Sequence, residues 1–136
     1  MRKVIIVFIA FLFFSCLTAP MTSSANITVT YQVRNTSFDI EWVVIQHKDV
    51  LGDIETELYM KPGEVWEKKV NFRLPEYGSQ HLTLAAHSLY GTFETTITID
   101  DINQSIHSRS RPKPNIREYL SLSQLHIDRE TIKRYR

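Results

Sequence analysis

The chain holds one cysteine in 136 residues, so no disulfide can form within it. That excludes the small disulfide-stapled scaffolds, and any folded domain must rest on an apolar core. Four glycines are too few, and too scattered, for a Gly-rich phosphate loop. Neither sign of charge is in excess, with 16 basic and 15 acidic residues. No basic stripe interleaved with aromatics exists, which argues against a nucleic-acid partner. The longest uncharged apolar run, Val4 to Phe14, has eleven residues. A bilayer span needs roughly 20, so a permanent transmembrane anchor is the weak reading.

That run follows Met1-Arg2-Lys3 and is closed by Ser15-Cys16, the layout of an export leader. Residues 1–25 therefore read as a signal peptide, and the expected location is secreted or extracytoplasmic, in the cell envelope. Two processing readings compete. Ser23 and Ala25 are the small residues that a leader peptidase requires, giving a mature chain from Asn26. Alternatively, Phe13-Phe14-Ser15-Cys16 is a loose lipobox and Cys16 carries a lipid, with Leu17–Ala25 as a tether. Asn26, Asn35 and Asn103 each open an Asn-X-Ser/Thr triplet and are candidate glycosylation sites.

From Asn26 to Asp100 the pattern has period two. Ile27, Val29, Tyr31 and Val33 alternate with polar residues. Asn35-Thr36-Ser37 is a turn cluster. In Asp39–His47, Ile40, Trp42 and Val44 share one face, while the other mixes Glu41 with Val43 and Ile45. Lys48 to Asp53 reads as a loop and Glu55–Met60 as a short strand. Lys61-Pro62-Gly63-Glu64 is a turn, since Pro presets its backbone angle and Gly accepts positive φ. Val65–Leu74 places Trp66, Val70 and Phe72 inward. After the turn Pro75–Ser79, Gln80–Tyr90 puts Leu82, Leu84 and Ala86 on one face. Gly91 breaks that strand, and Thr92–Asp100 points Phe93, Ile97 and Ile99 inward. Six closely spaced strands, with no room for crossover helices, predict an all-β, Ig-like antiparallel β-sandwich over residues 26–102. A small closed barrel is the alternative. Trp42, Trp66, Phe72 and Phe93 are the expected core anchors, with ligand stacking as the other reading of Trp66.

Beyond Asp101 the alternation stops. Residues 103–115 read as a basic, Pro-containing linker. Residues 116–136 read as a tail, in which Asp128 caps a short helix over Arg129–Arg136. Arg109, Arg111, Lys113, Lys133, Arg134 and Arg136 are the candidate partner-docking residues, either ordering on a partner or left in a loose tail.

No catalytic constellation emerges. His81 and His87 share a strand face but stand six residues apart, roughly 20 Å, too far to share a metal. His47 could approach either across a sheet, but no carboxylate or cysteine joins them at ligand spacing. Glu55 with Glu57, and Asp100 with Asp101, are acids of a solvated surface. No G-x-S-x-G elbow is present. Catalytic, metal and cofactor sites are therefore not expected.

Two turns carry a resemblance. Leu58-Tyr59-Met60-Lys61-Pro62-Gly63-Glu64-Val65-Trp66 and Leu74-Pro75-Glu76-Tyr77-Gly78-Ser79-Gln80-His81-Leu82 resemble the second half of bacterial Ig-like modules. The cell-adhesion-related bacterial domain and the BsuPI-type proteinase inhibitors share that layout. The resemblance implies architecture. Six strands fall one short of a seven-stranded domain, leaving the seventh absent or within the C-terminal segment. The functional expectation is an exported, non-enzymatic β-sandwich that binds a protein or envelope partner. A secreted proteinase inhibitor and a lipid-anchored envelope protein are the alternatives.

Overall fold

The computed structural model describes residues 26–112 and 118–135. They form strands β1 (Asn26–Asn35), β2 (Glu41–Asp49), β3 (Gly52–Met60), β4 (Val65–Arg73), β5 (Gln80–Ser88), β6 (Phe93–Ile99), β7 (Gln104–Arg109), β8 (Arg111–Pro112) and β9 (Tyr119–Ile127). A 3-10 turn spans Asp100–Ile102, and helix α1 spans Arg129–Tyr135. The strands make two sheets, ordered β4-β1-β6-β7 and β3-β2-β5-β9-β8. Every pairing is antiparallel. The molecule is an all-β sandwich, as its period-two pattern predicts.

Alternation places the core. Ile27, Val29, Tyr31 and Val33 of β1 are buried against Leu82, Leu84 and Ala86 of β5 and Phe93, Ile97 and Ile99 of β6 within one cluster. Complete burial of such a Leu or Ile stabilises by about 1.5–3 kcal/mol. The turn at Lys61–Glu64 forms as expected. Glu64 N–H donates to Lys61 O at 3.0 Å, and Gly63 holds φ at +75°.

In β2 the inward face is the opposite of the expected one. Val43, Ile45 and His47 are buried, while Ile40 and Trp42 are exposed. Both faces of this segment carry apolar residues, so its own pattern is degenerate. Register decides. Ile45 pairs with Ala86, whose side chain faces the core, and Val44 pairs with His87 on the outer face. β3 is also longer than expected. It starts at Gly52, and only Val50 and Leu51 separate it from β2, where a loop to Asp53 was predicted.

The C-terminal third departs most from expectation. Residues 104–109 form β7 on β6, and Arg111–Pro112 forms β8. β9 lies between β5 and β8, inside the larger sheet. The linker and tail assigned to residues 103–136 thus supply three strands. Their pattern hid them because the inner face of β9 is partly hydroxylic. Ser121 and Ser123 are buried, and Thr95 Oγ1 meets their Oγ atoms at 2.9 and 2.8 Å. Those hydroxyls satisfy one another and cost less to bury than unpaired ones. Helix α1 forms where predicted. Asp128 Oδ1 accepts from Thr131 N–H at 2.7 Å and from its hydroxyl at 2.8 Å. Those two bonds hold the Asp128 carboxyl below the usual carboxylate range. Ile132 turns the helix onto the core.

The topology gives the sandwich two unlike ends. At the upper end lie the connections 36–40, 61–64 and 89–92. At the lower end lie 50–51, 74–79, the 3-10 turn and α1. β1 starts at the lower end and rises ten residues, about 33 Å, to the upper one.

Candidate functional site

The upper end concentrates apolar side chains that the fold leaves uncovered. Phe38 is 99% exposed, Tyr90 80% and Tyr59 69%. Ile40, Trp42, Val65 and Leu89 join them. Scattered exposed apolar residues are ordinary, but a cluster at one place is the mark of a contact surface.

The register builds the centre of this cluster. Trp42 and Tyr59 are directly opposite on β2 and β3, both outward. Their rings meet edge to face, with centroids 4.9 Å apart and planes at 62°. Such a pair is a rigid block, because each ring limits the rotamers of the other. On the other flank, β5 ends at Ser88, whose hydroxyl donates to Trp42 O at 2.7 Å and accepts from Gly91 N–H at 3.0 Å. This pins the 89–92 turn beside Trp42. Gly91 is required by close approach, since a Cβ there would lie 2.6 Å from Glu41 Cγ and 2.8 Å from the Phe93 ring. Between these elements runs an open groove of about 330 Å³ lined by Glu41, Trp42, Tyr59, Ser88, Leu89 and Tyr90.

Asn35 holds the same end together from below. It is fully buried. Its Nδ2 donates to Asp39 O at 3.0 Å and Met60 O at 2.8 Å, while its Oδ1 accepts from Ser37 N–H at 2.8 Å. Nδ2 is the atom to which a glycan would be joined, so in the folded chain this sequon is closed. Asn26, the first residue of β1, and Asn103 are exposed, and Asn103 adopts the left-handed conformation that Asn tolerates.

The docking residues expected in the tail do not form one surface. Arg109 pairs with Glu94 at 3.4 Å, and with Arg111 it lines a groove of about 640 Å³ near the upper end. Lys133 pairs with Glu130 at 3.3 Å on α1, which also carries Arg134, at the lower end. The nine residues of β9 separate the two groups by about 30 Å. Lys113, Arg136 and Cys16, with all of residues 1–25 over which a leader was expected, lie outside the described residues.

Of the expected core anchors, Phe72 and Phe93 are buried and Trp66 is half-buried against the core. Trp42 is instead part of the exposed cluster. Sequence reasoning missed that cluster, yet a signal was present. Phe38 follows the turn cluster Asn35-Thr36-Ser37, and Leu89 and Tyr90 stand just before Gly91; the expected strand Gln80–Tyr90 ends two residues earlier, at Ser88, and leaves both in a turn.

Inside the sandwich, His47 is nearly inaccessible and stands against Tyr31 and Trp66, with ring centroids 5.3 and 5.4 Å away. Burial lowers its pKa below the usual imidazole value, outweighing the attraction of Asp49, whose Oδ2 lies 3.8 Å from Nε2. That distance is too long for a hydrogen bond. Neither ring nitrogen of His47, nor the Tyr31 hydroxyl, has a hydrogen-bond partner among the described residues. Burial also raises the Tyr31 pKa, with Asp49 and Asp53 adding to the effect. No group of three or more His, Cys, Asp or Glu side chains converges as a metal site among the described residues.

No family model, curated protein or solved structure matches the chain.

Proposed function

We propose that this protein is an exported, non-enzymatic binding module, an Ig-like β-sandwich that holds a protein or cell-envelope partner at its upper end. The observation that carries this reading is the exposed block of Trp42 against Tyr59, with Leu89 and Tyr90 lining the same groove and Phe38 exposed in a connection at the same end. Trp and Tyr dominate the energetics of protein contacts because they remove much apolar area at little entropic cost. The groove between them holds one carboxylate, Glu41, and no histidine. That set suits recognition more than acid–base chemistry.

The topology adds direction. A chain exported through its leader and held by lipid on Cys16 would enter the sandwich at Asn26, on the lower end. The aromatic end would then face away from the membrane, about 33 Å out along β1. With that anchorage, a partner would be met beyond the bilayer surface.

The test is recovery of envelope components on the immobilised mature protein, compared with a Trp42→Ala/Tyr59→Ala variant. The variant is expected to retain its strand signal by circular dichroism and to lose the partner. Equal recovery by both proteins would remove the aromatic end as the contact surface.

A further inference from the structure

The outer face of the larger sheet carries a second grouping, unrelated to the aromatic end. His81 on β5 and His126 on β9 are direct cross-strand neighbours near the lower end. Both are exposed. His81 Nδ1 and His126 Nε2 are 2.9 Å apart, with ring centroids at 4.2 Å and planes at 43°.

We propose that this pair is a binding site for a divalent transition metal of tetragonal preference, Cu2+ above all. Imidazole nitrogens bind such metals at about 2.0–2.1 Å, so two that subtend a right angle stand about 2.9 Å apart. A tetrahedral angle would need about 3.3 Å. The observed separation is that of the right angle. Ring orientation agrees. A straight N–H···N bond would set the centroids about 5 Å apart. At 4.2 Å the ring axes are turned off the N···N line, so the hydrogen bond between the two nitrogens is bent and both lone-pair directions open towards one side, where a cation could be shared.

The protonation balance is simple. Each neutral ring keeps its one proton on the nitrogen not used, Nε2 of His81 and Nδ1 of His126. Only a tautomeric change is needed on whichever ring donates in the metal-free pair, with no net loss of protons. Water supplies the remaining ligands at this open surface. The next row towards the middle of the sheet, Thr83 opposite Gln124, offers neither charge nor imidazole, and on the other side Asp128 is engaged in capping α1 through Thr131. Cu2+ here would join residues 45 positions apart in sequence. It would fasten β9, and the α1 helix that follows it, to the centre of the sheet.

The experiment is a Cu2+ titration of the exported protein, read by calorimetry and by electron paramagnetic resonance. One equivalent is expected, with a tetragonal spectrum showing two equatorial nitrogens. His81→Ala and His126→Ala should each weaken binding at least tenfold and lose one nitrogen coupling. His107→Ala, at an exposed histidine on another strand, should change neither. Cu2+ should also raise the melting temperature of the parent and of His107→Ala, but not of the other two. Both substitutions are at exposed sites, so circular dichroism is expected to show folded variants. Equal Cu2+ affinity in the parent and both single variants, or a spectrum without nitrogen coupling, would overturn the assignment.

Discussion

Asn35 Nδ2 donates to the carbonyl oxygen of Met60 across 2.8 Å, with both residues fully buried. This one amide links the end of β1 to the end of β3, and through Asp39 and Ser37 it also shapes the connection that carries Phe38. Replacing it by Ala would leave Met60 O and Asp39 O without this donor. Buried polar groups without partners cost about 1–3 kcal/mol each. Asp39 is exposed and its carbonyl can turn to water, so Asn35→Ala is expected to destabilise the fold by about 1–3 kcal/mol, measured by urea unfolding. A loss below about 0.5 kcal/mol would show that the amide does not hold this end.

Tyr31 predicts the opposite. Its hydroxyl is buried without a partner among the described residues, while its ring is part of the core. Tyr31→Phe keeps the ring and removes the desolvated oxygen. Stability is expected to hold or to rise by about 1 kcal/mol. A clear loss in thermal or urea unfolding would mean that the hydroxyl is satisfied in solution.

His47 makes stability depend on pH. Its pKa is lowered in the folded state, so below about pH 6.5 the unfolded chain binds a proton that the folded chain resists. This contribution is complete above the unfolded pKa and is lost as pH falls from about 6.5 towards the folded value. Urea midpoints are expected to decline across that window. His47→Phe should flatten the decline, and an unchanged slope in the variant would assign it to other groups.

The C-terminal third is part of the fold. β9 is hydrogen-bonded to both β5 and β8, and Ile127 and Ile132 are in the core. Truncation after Ile102 removes β7, β8, β9 and α1 together and exposes the β5 and β6 edges. The truncated chain is expected to lack cooperative unfolding, checked by near-ultraviolet circular dichroism and a melting curve. A sharp two-state melt would overturn this.

Strand order along the chain was largely legible, because β1, β5 and β6 each have one apolar and one polar face. β2 was not, since Val43 and Ile45 compete with Ile40, Trp42 and Val44 for the interior. β7 and β9 were not legible either. β7 is an edge strand that buries little, and β9 lines the core with Ser121 and Ser123 beside leucine and isoleucine. The same blindness concealed both candidate sites. In sequence Trp42 reads as a core anchor and His126 falls in a tail, so His81 is set beside His87 and His47 and not beside His126.

By itself the sequence determined an all-β chain without disulfides, its turn at Pro62-Gly63, its helix cap at Asp128 and most of its inward-facing residues. These are local matters, governed by period, backbone angle and short-range hydrogen bonds. Tertiary structure alone decided which face of β2 is buried, that β9 enters the sheet, and that His81 meets His126 and Trp42 meets Tyr59. Those outcomes depend on register between strands distant in sequence, and register is chosen by the packing of the whole sandwich.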